Sequence, residues 1–224
     1  MGNLLYVGPS WAVTSFDASR PGYKIEPTSL FKELNLNAIN LAKFGASNDD
    51  MFDAILNFNG PIIGIIWVYC EPLLNVCRED KVSVLNDPNF WNIRNKINDN
   101  ILQRINDLNI PVGIIGAHSD IFNCDYSNIE IIHSSWQQFL GNISTMEVEN
   151  GWGAEILHRW LVYEFPNSKI SKEAVDMISV QFSTWTRLEL NNLFYMTHPN
   201  RTGNILFANE IRSKINLFVS RLTQ

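Results

Sequence analysis

One apolar run constrains the fold of this chain more than any other feature of its sequence. Residues 61–69 read PIIGIIWVY and contain no charged side chain. The run is far shorter than the roughly 18 apolar residues that indicate a membrane-spanning helix, and its length favours a strand. A strand without polar alternation is typical of a parallel sheet that is covered on both faces. The sequence therefore predicts a central strand at residues 61–69 that is buried on both sides.

Strand and helix patterns alternate on either side of this run. The clearest helix is predicted at residues 89–108, where apolar side chains recur at three- and four-residue steps. The remaining predictions are strands at residues 3–7, 38–44, 111–116 and 129–133, and helices at residues 28–34, 48–58, 157–165, 172–191 and 205–222. The alternation indicates a parallel sheet with right-handed crossovers. We therefore expect an α/β three-layer sandwich, with a mostly parallel, flavodoxin-like sheet of about five strands and helices on both faces.

Composition and charge narrow the class of partner. The chain has 224 residues, of which 46% are hydrophobic, which is enough for a full core in one domain that spans residues 1–224. Its 17 Lys and Arg residues against 23 Asp and Glu residues give a net charge of -6 without long charged runs. This balance argues against binding to nucleic acid or to an anionic membrane surface. A small-molecule partner fits better.

The cysteines and the N-terminus predict a cellular compartment. Cys70, Cys77 and Cys124 are too few for a disulfide framework in a chain of this size, which indicates a reducing compartment. The N-terminus has no basic segment before an apolar run, so no signal peptide is predicted, and no window is apolar enough for a transmembrane segment. We therefore expect a soluble, cytoplasmic protein without a membrane partner.

Candidate reactive residues follow the predicted strands, at the carboxyl ends where the ligand sites of open parallel sheets gather. Ser10 follows the first strand, Gly45 follows the second and Glu71 follows the third. His118 follows the fourth strand, and Trp136 follows the fifth. We expect these five strand ends to form one rim of the sheet.

His198 lies far downstream in the turn-rich segment before the last predicted helix, and such a loop can place a histidine over the rim. In order and spacing, these segments resemble the SGNH or GDSL-type serine hydrolases. In that family a nucleophilic serine follows the first strand in a Gly-Asp-Ser motif, and residues 8–10, GPS, occupy this place with Pro9 instead of the Asp. The second block matches residues 40–47, NLAKFGAS, in which Gly45 takes the position of an oxyanion-binding N–H donor.

Two blocks differ from the family pattern at chemically important positions. The third block normally carries an Asn that binds the oxyanion, and Glu71 stands in its place. The last block is normally Asp-x-x-His-Pro, and residues 195–203, YMTHPNRTG, match it at His198 but carry Tyr195 in place of the acid. A phenol with an ordinary pKa near 10 stays neutral, so we expect that Tyr195 does not act as the triad acid. Glu71 is the best candidate for a replacement acid, and Glu189 is the second.

The resemblance implies ester hydrolysis without a cofactor. Ser10 would attack a carbonyl, and His198 would remove the serine proton and then protonate the leaving group. The backbone N–H groups of Ser10 and Gly45 would stabilise the oxyanion. The substrate would be a small-molecule or glycan ester, and deacetylation of a glycan is the preferred subclass.

Three further residues are candidates for lining a substrate pocket. Trp11 is next to the candidate nucleophile, and His118 and Trp136 lie at predicted strand ends. An aromatic face can stack on a sugar, although tryptophan more often packs in a core. An isolated histidine, such as His118 or His133, is also more often a structural residue with its hydrogen bonds satisfied.

The catalytic candidates have structural alternatives too. Ser10 can cap a helix, His198 can be an ordinary turn residue, and Gly45 can provide a tight turn at positive φ. No HExxH motif, CxxC pair, acidic calcium loop or phosphate loop occurs in the sequence, so no metal or cofactor site is predicted. The alternative function is a catalytically degenerate SGNH-like fold that serves as a binding or structural assembly module.

Overall fold

The computed structural model describes residues 2–13, 15–16, 25–26, 29–43, 45–70, 72–75, 83–84, 87–117, 121, 124–136, 139, 194–195, 198–199 and 201–223. The helices predicted at residues 157–165 and 172–191 lie outside the described residues.

Strands and helices alternate along the described chain. The strands are β1 (Asn3–Val7), β2 (Ser15–Phe16), β3 (Ile25–Glu26), β4 (Ile39–Asn40), β5 (Ile62–Tyr69), β6 (Val112–Gly116), β7 (Ile129–His133), β8 (Phe194–Tyr195) and β9 (His198–Pro199). The α-helices are α1 (Ser10–Val13), α2 (Leu30–Leu34), α3 (Asn48–Leu56), α4 (Phe90–Asn106) and α5 (Arg201–Leu222), and a 3-10 helix covers Pro72–Asn75. The bounds predicted for β1 and β7 are confirmed without change. β5 and β6 each begin one residue later than predicted and end where predicted, and α4 begins one residue later and ends two residues earlier.

Five of these strands form one parallel sheet in the order β4-β1-β5-β6-β7. Counted in chain order within this sheet, the order is 2-1-3-4-5, which is that of flavodoxin-like folds. β5 lies at the centre, and its residues 64–69 are buried. The predicted fold class and the central position of the apolar run are therefore confirmed. Two short antiparallel pairs, β2 with β3 and β8 with β9, lie outside this sheet.

Helices cover both faces of the sheet and form two cores. On one face, α1, α2 and α5 pack on the strands through a cluster that includes Leu4, Tyr6, Ala12, Leu30, Leu34, Ile66, Val68, Phe207, Ile211 and Ile215. On the other face, α3 and α4 pack through a cluster that includes Leu5, Val7, Met51, Phe52, Ile55, Ile65, Trp67, Tyr69, Ile101 and Ile105. Neighbouring residues of β5 enter opposite cores, because successive side chains of a strand point to opposite faces.

Polar side chains fix the ends of two helices. At the start of α3, the Ser47 N–H donates to Asp50 Oδ2 (2.7 Å) and the Asp50 N–H donates to Ser47 Oγ (3.2 Å), which makes a capping box. The Ser47 N–H and the Ser47 hydroxyl (2.8 Å) both donate to the Asp50 carboxylate, and these two hydrogen bonds hold the pKa of Asp50 below its ordinary value. At the end of α2, Arg212 of α5 donates to the main-chain oxygens of Glu33 (2.9 Å) and Leu34 (3.3 Å). Backbone groups that have no partner within their own helix are thereby satisfied.

The second strand of the sheet is shorter than the sequence predicts. Residues 38–44 were expected as a strand, and only Ile39–Asn40 forms one. The chain nevertheless stays beside β1 for three more residues, since the Lys43 N–H donates to the Gly8 oxygen (3.0 Å). β4 is an edge strand with one neighbour, so its pairing ends as soon as the chain turns towards Gly45.

The last helix begins earlier than the sequence predicts. α5 starts at Arg201. The sequence predicts a start at residue 205, because the letters RTG at residues 201–203 are typical of a turn. Gly203 and Asn204 are both buried in the first turn of α5. The segment therefore belongs to the packed part of the helix, where glycine permits a close approach.

Truncation of Phe207 is expected to destabilise the fold strongly. Its ring is fully buried on α5 and stacks on Trp136, with the ring centroids 4.6 Å apart and the planes 9° from parallel. Phe207→Ala should lower the free energy of unfolding by about 3 to 5 kcal/mol, because the variant loses buried apolar area and leaves a cavity. Denaturant unfolding followed by circular dichroism measures this change.

Leu217→Ala is the matched control for Phe207→Ala. Leu217 lies on the same helix but is 57% exposed, so its truncation should change the free energy of unfolding by less than about 0.5 kcal/mol. Equal losses in the two variants would contradict the core position of Phe207.

Candidate functional site

The backbone of Ser10 lies at the carboxyl edge of the sheet. β1 and β5 pair last at Val7 and Trp67. β1 turns into α1 three residues beyond this pair, at Ser10, and β5 ends two residues beyond it, at Tyr69. Because the five strands are parallel, the loops that follow them meet at this edge.

Close packing holds α1 at this edge. α1 has four residues and begins at Ser10, and a helix this short is not stable alone. A Cβ atom on Gly8 would lie 2.5 Å from the Cβ of Ala12 and 2.8 Å from the Cβ of Val68. These distances are shorter than side chains tolerate, so only glycine allows α1 to pack this closely on β5.

The segment that carries His198 lies beside α1. β9 pairs with β8 as antiparallel strands, with His198 opposite Tyr195. Cα atoms of β9 lie within 8 Å of Cα atoms of α1, β2 and α5. The fold thus brings together the backbones of two segments that are far apart in sequence. The side chains of Ser10, Trp11, Tyr195 and His198 lie outside the described part of the structure.

Gly45 lies in a turn between β4 and α3. Its φ is +71°, a conformation that favours glycine, and the Ala46 N–H donates to the Lys43 oxygen (3.2 Å) across the turn. A Cβ atom at Gly45 would meet no other atom within 4 Å, so the backbone conformation and not the available space requires glycine. The tight turn that the sequence indicates is therefore present, and the role of Gly45 as an oxyanion donor stays a prediction.

One buried polar residue at this edge was missed in the sequence analysis. Asn48, the first residue of α3, is fully buried, and its Nδ2 donates to the Cys70 oxygen (3.2 Å). Its Oδ1 accepts the Cys70 N–H (3.4 Å) and the Trp67 Nε1–H (3.2 Å). In the sequence, the letters SNDD are those of an ordinary helix start, because Ser47 is a favourable cap and acidic residues favour the first turn. No local pattern distinguishes Asn48 from its neighbours.

Three candidate residues, Glu71, His118 and Glu189, lie outside the described residues. The residues that precede the first two are described, and Cys70 and Ala117 are both fully buried. The chain is therefore buried up to the residue before Glu71 at the end of β5, and up to the residue before His118 at the end of β6. The roles assigned to Glu71 and His118 stay predictions.

Trp136 is a core residue. Its side chain is fully buried, and its stacking on Phe207 places it within the core on the α5 face of the sheet. This packing matches the core alternative for tryptophan and corrects the prediction that Trp136 lines a substrate pocket. The ring has no exposed face that could stack on a sugar.

His133 has a structural role. Its Nδ1 accepts the Ser135 N–H (3.1 Å), and its ring packs edge-on against Phe207, with centroids 5.1 Å apart. Burial lowers the pKa of His133, and the positive charge of Lys214 lowers it further, while Glu210 opposes the change. The folded protein therefore favours the neutral form of this imidazole.

Three further features of the described residues concern metal binding, membrane spanning and a cleft away from Ser10. No group of three or more His, Cys, Asp or Glu side chains in this part of the chain could hold a metal ion. Among the described helices, none combines the length and the apolar character that a bilayer span requires. A cleft of about 340 Å³, which includes Pro111 and Ile129, lies at the amino ends of β6 and β7 and thus at the edge opposite Ser10.

Comparisons with protein-family models, with curated proteins and with solved structures give no match to this chain. The resemblance to the SGNH or GDSL-type hydrolases therefore rests on the sequence blocks and stays a prediction. The strand order agrees with that resemblance, but the same order is shared by folds with many functions.

The lowered pKa of His133 predicts a loss of stability below neutral pH. The ordinary pKa of histidine is 6.5, so as the pH falls below this value the unfolded chain takes up a proton before the folded one does. The free energy of unfolding should therefore fall between pH 6.5 and the lower pKa of the folded state. His133→Gln should remove this part of the pH dependence, which urea unfolding at a series of pH values measures.

The wild type and His133→Gln share the other three histidines, so the difference between the two curves isolates His133. Parallel curves between about pH 7 and pH 5 would show that His133 has the same pKa in the folded and unfolded states.

Proposed function

We propose that this protein is a serine ester hydrolase of the SGNH or GDSL type, with Ser10 as the nucleophile and His198 as the general base. The observation that carries the proposal is the adjacency of α1 and β9, because a nucleophile and its base must lie within hydrogen-bond reach. The strand order adds support, since the ligand sites of such sheets lie at the carboxyl edge. The proposal predicts a distance of about 2.6 to 3.2 Å between Ser10 Oγ and a His198 ring nitrogen.

The proposed reaction has two steps. Ser10 Oγ attacks the carbonyl carbon of the ester while His198 accepts the hydroxyl proton. The tetrahedral intermediate then breaks its bond to the leaving alcohol, which takes the proton from His198. In the second step, water attacks the acyl-serine with His198 again as the base, and the carboxylic acid and free Ser10 are released. The reaction needs no metal or organic cofactor.

The N–H groups of Ser10 and Gly45 are the proposed donors to the oxyanion. Ser10 is the first residue of α1, and the first N–H groups of a helix have no partner within it. Gly45 lies in the loop that follows the neighbouring strand β4. Preorganised backbone donors matter because the loss of one oxyanion donor costs about 2.7 to 4 kcal/mol in a known serine protease.

The acid of the proposed triad departs from the family pattern. Tyr195 is the backbone partner of His198 in the β8–β9 pair, but a neutral phenol gives little stabilisation to an imidazolium. We assign the acid role to Glu71, because it directly follows Cys70 at the carboxyl edge. Without an acid, Ser10 and His198 would still work as a slower dyad.

The proposed substrate is a small-molecule or glycan ester, and an acetylated sugar is preferred. The net charge of -6 disfavours nucleic acid as a partner. Trp11, next to the nucleophile, is the tryptophan proposed to stack on a sugar ring, because Trp136 is buried in the core. His118, which follows β6, is the other proposed pocket residue.

Labelling with a fluorophosphonate tests the nucleophile. The wild-type protein should be labelled at Ser10 and should hydrolyse p-nitrophenyl acetate, because an adjacent base makes serine reactive. Ser10→Ala should abolish labelling and hydrolysis. His198→Ala should lower the hydrolysis rate at least about 100-fold, the lower limit of what general-base catalysis contributes. Mass spectrometry of the labelled peptide and initial rates measure the two effects.

Ser134→Ala is the matched control, because Ser134 is an exposed serine that follows β7 at the same edge. This variant should be labelled and active like the wild type. Both catalytic variants should keep the wild-type thermal midpoint, and a large loss of folding in Ser10→Ala would indicate the helix-capping role instead. A folded wild type that is neither labelled nor active would favour the binding or assembly module.

Glu71→Asn distinguishes the two roles open to Glu71. An ionised carboxylate has only acceptors and would repel an oxyanion, whereas Asn has an amide donor. If Glu71 is the replacement acid, Glu71→Asn should lower kcat/KM for p-nitrophenyl acetate at least about 10-fold, since removal of a triad acid is costly. Steady-state rates from about pH 5 to pH 9 measure the change.

Glu130→Gln serves as the control for Glu71→Asn, because Glu130 pairs with Arg221 at the opposite edge of the sheet. It should leave kcat/KM unchanged. A higher rate in Glu71→Asn would place Glu71 in the oxyanion hole, and an unchanged rate would place it outside the site.

A further inference from the structure

We infer that Asn48 is a positioning residue of the proposed catalytic centre, because its buried amide joins the segment that carries Gly45 to the end of β5 that leads into Glu71. The inference rests on the proposed hydrolase function. Asn48 is not assigned a contact with substrate. It acts by holding the segment of Gly45, a proposed oxyanion donor, at a fixed distance from β5, on which α1 and Ser10 are packed.

The amide of Asn48 binds Cys70 as a neighbouring strand would, through both the N–H and the oxygen of that residue. On the other side of β5, the Ala117 N–H donates to the Tyr69 oxygen (3.1 Å). The backbone groups of Cys70 therefore face β1, because neighbouring residues of a strand direct these groups to opposite sides. However, β1 pairs no further than Trp67 before its chain turns into α1. Beyond that point, the Asn48 amide forms hydrogen bonds with Cys70 on the side of β5 that faces β1.

Asn48 also belongs to the fixed start of α3. The capping box of Ser47 holds the preceding residue, and the Asn48 N–H donates to Oδ1 of Asn75 in the 3-10 helix (3.2 Å). Gly45 lies three residues before Asn48, at the end of the turn that leads into the helix. A displacement of Asn48 is therefore transmitted to Gly45.

Burial makes this contact rigid. Asn48, Cys70 and Trp67 are all fully buried, and a buried polar group that loses its partner is costly. Groups of a catalytic site must lie within about 0.5 Å of their productive geometry. A small shift of Gly45 relative to the end of β5 should therefore weaken the stabilisation of the oxyanion more than it weakens binding of the neutral ester. The expected signature is a loss in kcat with little change in KM.

Steady-state hydrolysis of p-nitrophenyl acetate by Asn48→Ala tests the inference, at a temperature at which circular dichroism shows the variant to be folded. The value of kcat should fall at least about 10-fold, a part of the 100- to 1,000-fold cost of losing a whole oxyanion donor. KM should change less than about threefold. The rate of inactivation by a fluorophosphonate should fall in parallel with kcat.

Ile105→Val is the matched control, because Ile105 is fully buried in the same core and its truncation lowers stability without touching the edge. It should keep the wild-type kcat. A folded Asn48→Ala with the wild-type kcat, or an equal loss of kcat in Ile105→Val, would overturn the inference and leave the proposed function intact.

If Asn48→Ala does not fold, the variant Asn75→Ala tests the positioning role of Asn48 instead. It removes only the acceptor of the Asn48 N–H, from a half-buried position, and should lower kcat about threefold or more with KM unchanged. A wild-type kcat in folded Asn75→Ala would then overturn the inference. An inactive and unlabelled wild-type protein would overturn the proposed function and this inference with it.

Discussion

The burial of β5 on both faces is the constraint on which the rest of the structure depends. Ile65 and Trp67 enter one core, whereas Ile66 and Val68 enter the other. Each Å² of apolar area left in water costs about 25 cal/mol, so helices must cover both sides of this strand. β5 therefore occupies the centre of the sheet. Its two neighbours, β1 and β6, end beside it, and the loops that follow these strands meet at one edge.

The end of β5 also explains why a buried polar residue lies next to the candidate site. β1 leaves the sheet early, so α1 and Ser10 lie beyond the last pair of β1 and β5 residues. Cys70 lies beyond that pair and is fully buried, and buried backbone groups need hydrogen-bond partners. Asn48 meets this requirement from the start of α3. The edge is thus stabilised by the segment that also carries Gly45.

Those parts of the fold that depend on local periodicity could be predicted from the sequence. The apolar run of β5 and the amphipathic pattern of α4 both indicate the correct element, because burial imposes the period of each. The end of β4 and the start of α5 could not be predicted, since edge pairing and the burial of Gly203 depend on distant segments. The same holds for the candidate site. Asn48 and Trp136 acquire their roles from contacts with Cys70 and Phe207, which lie far from them in sequence.

The adjacency of α1 and β9 is a consequence of how α5 packs. α5 begins directly after β9 at the carboxyl edge and ends at the amino edge. There Leu222 packs so closely on the sheet that a Cβ atom on Gly64 would lie 2.3 Å from its Cδ1. Arg212, midway along α5, binds the end of α2 on the same face. The position of β9 beside α1 is therefore determined by a helix anchored at two further points, so the relative placement of the segments that carry the proposed nucleophile and base depends on the packing of α5 against the sheet.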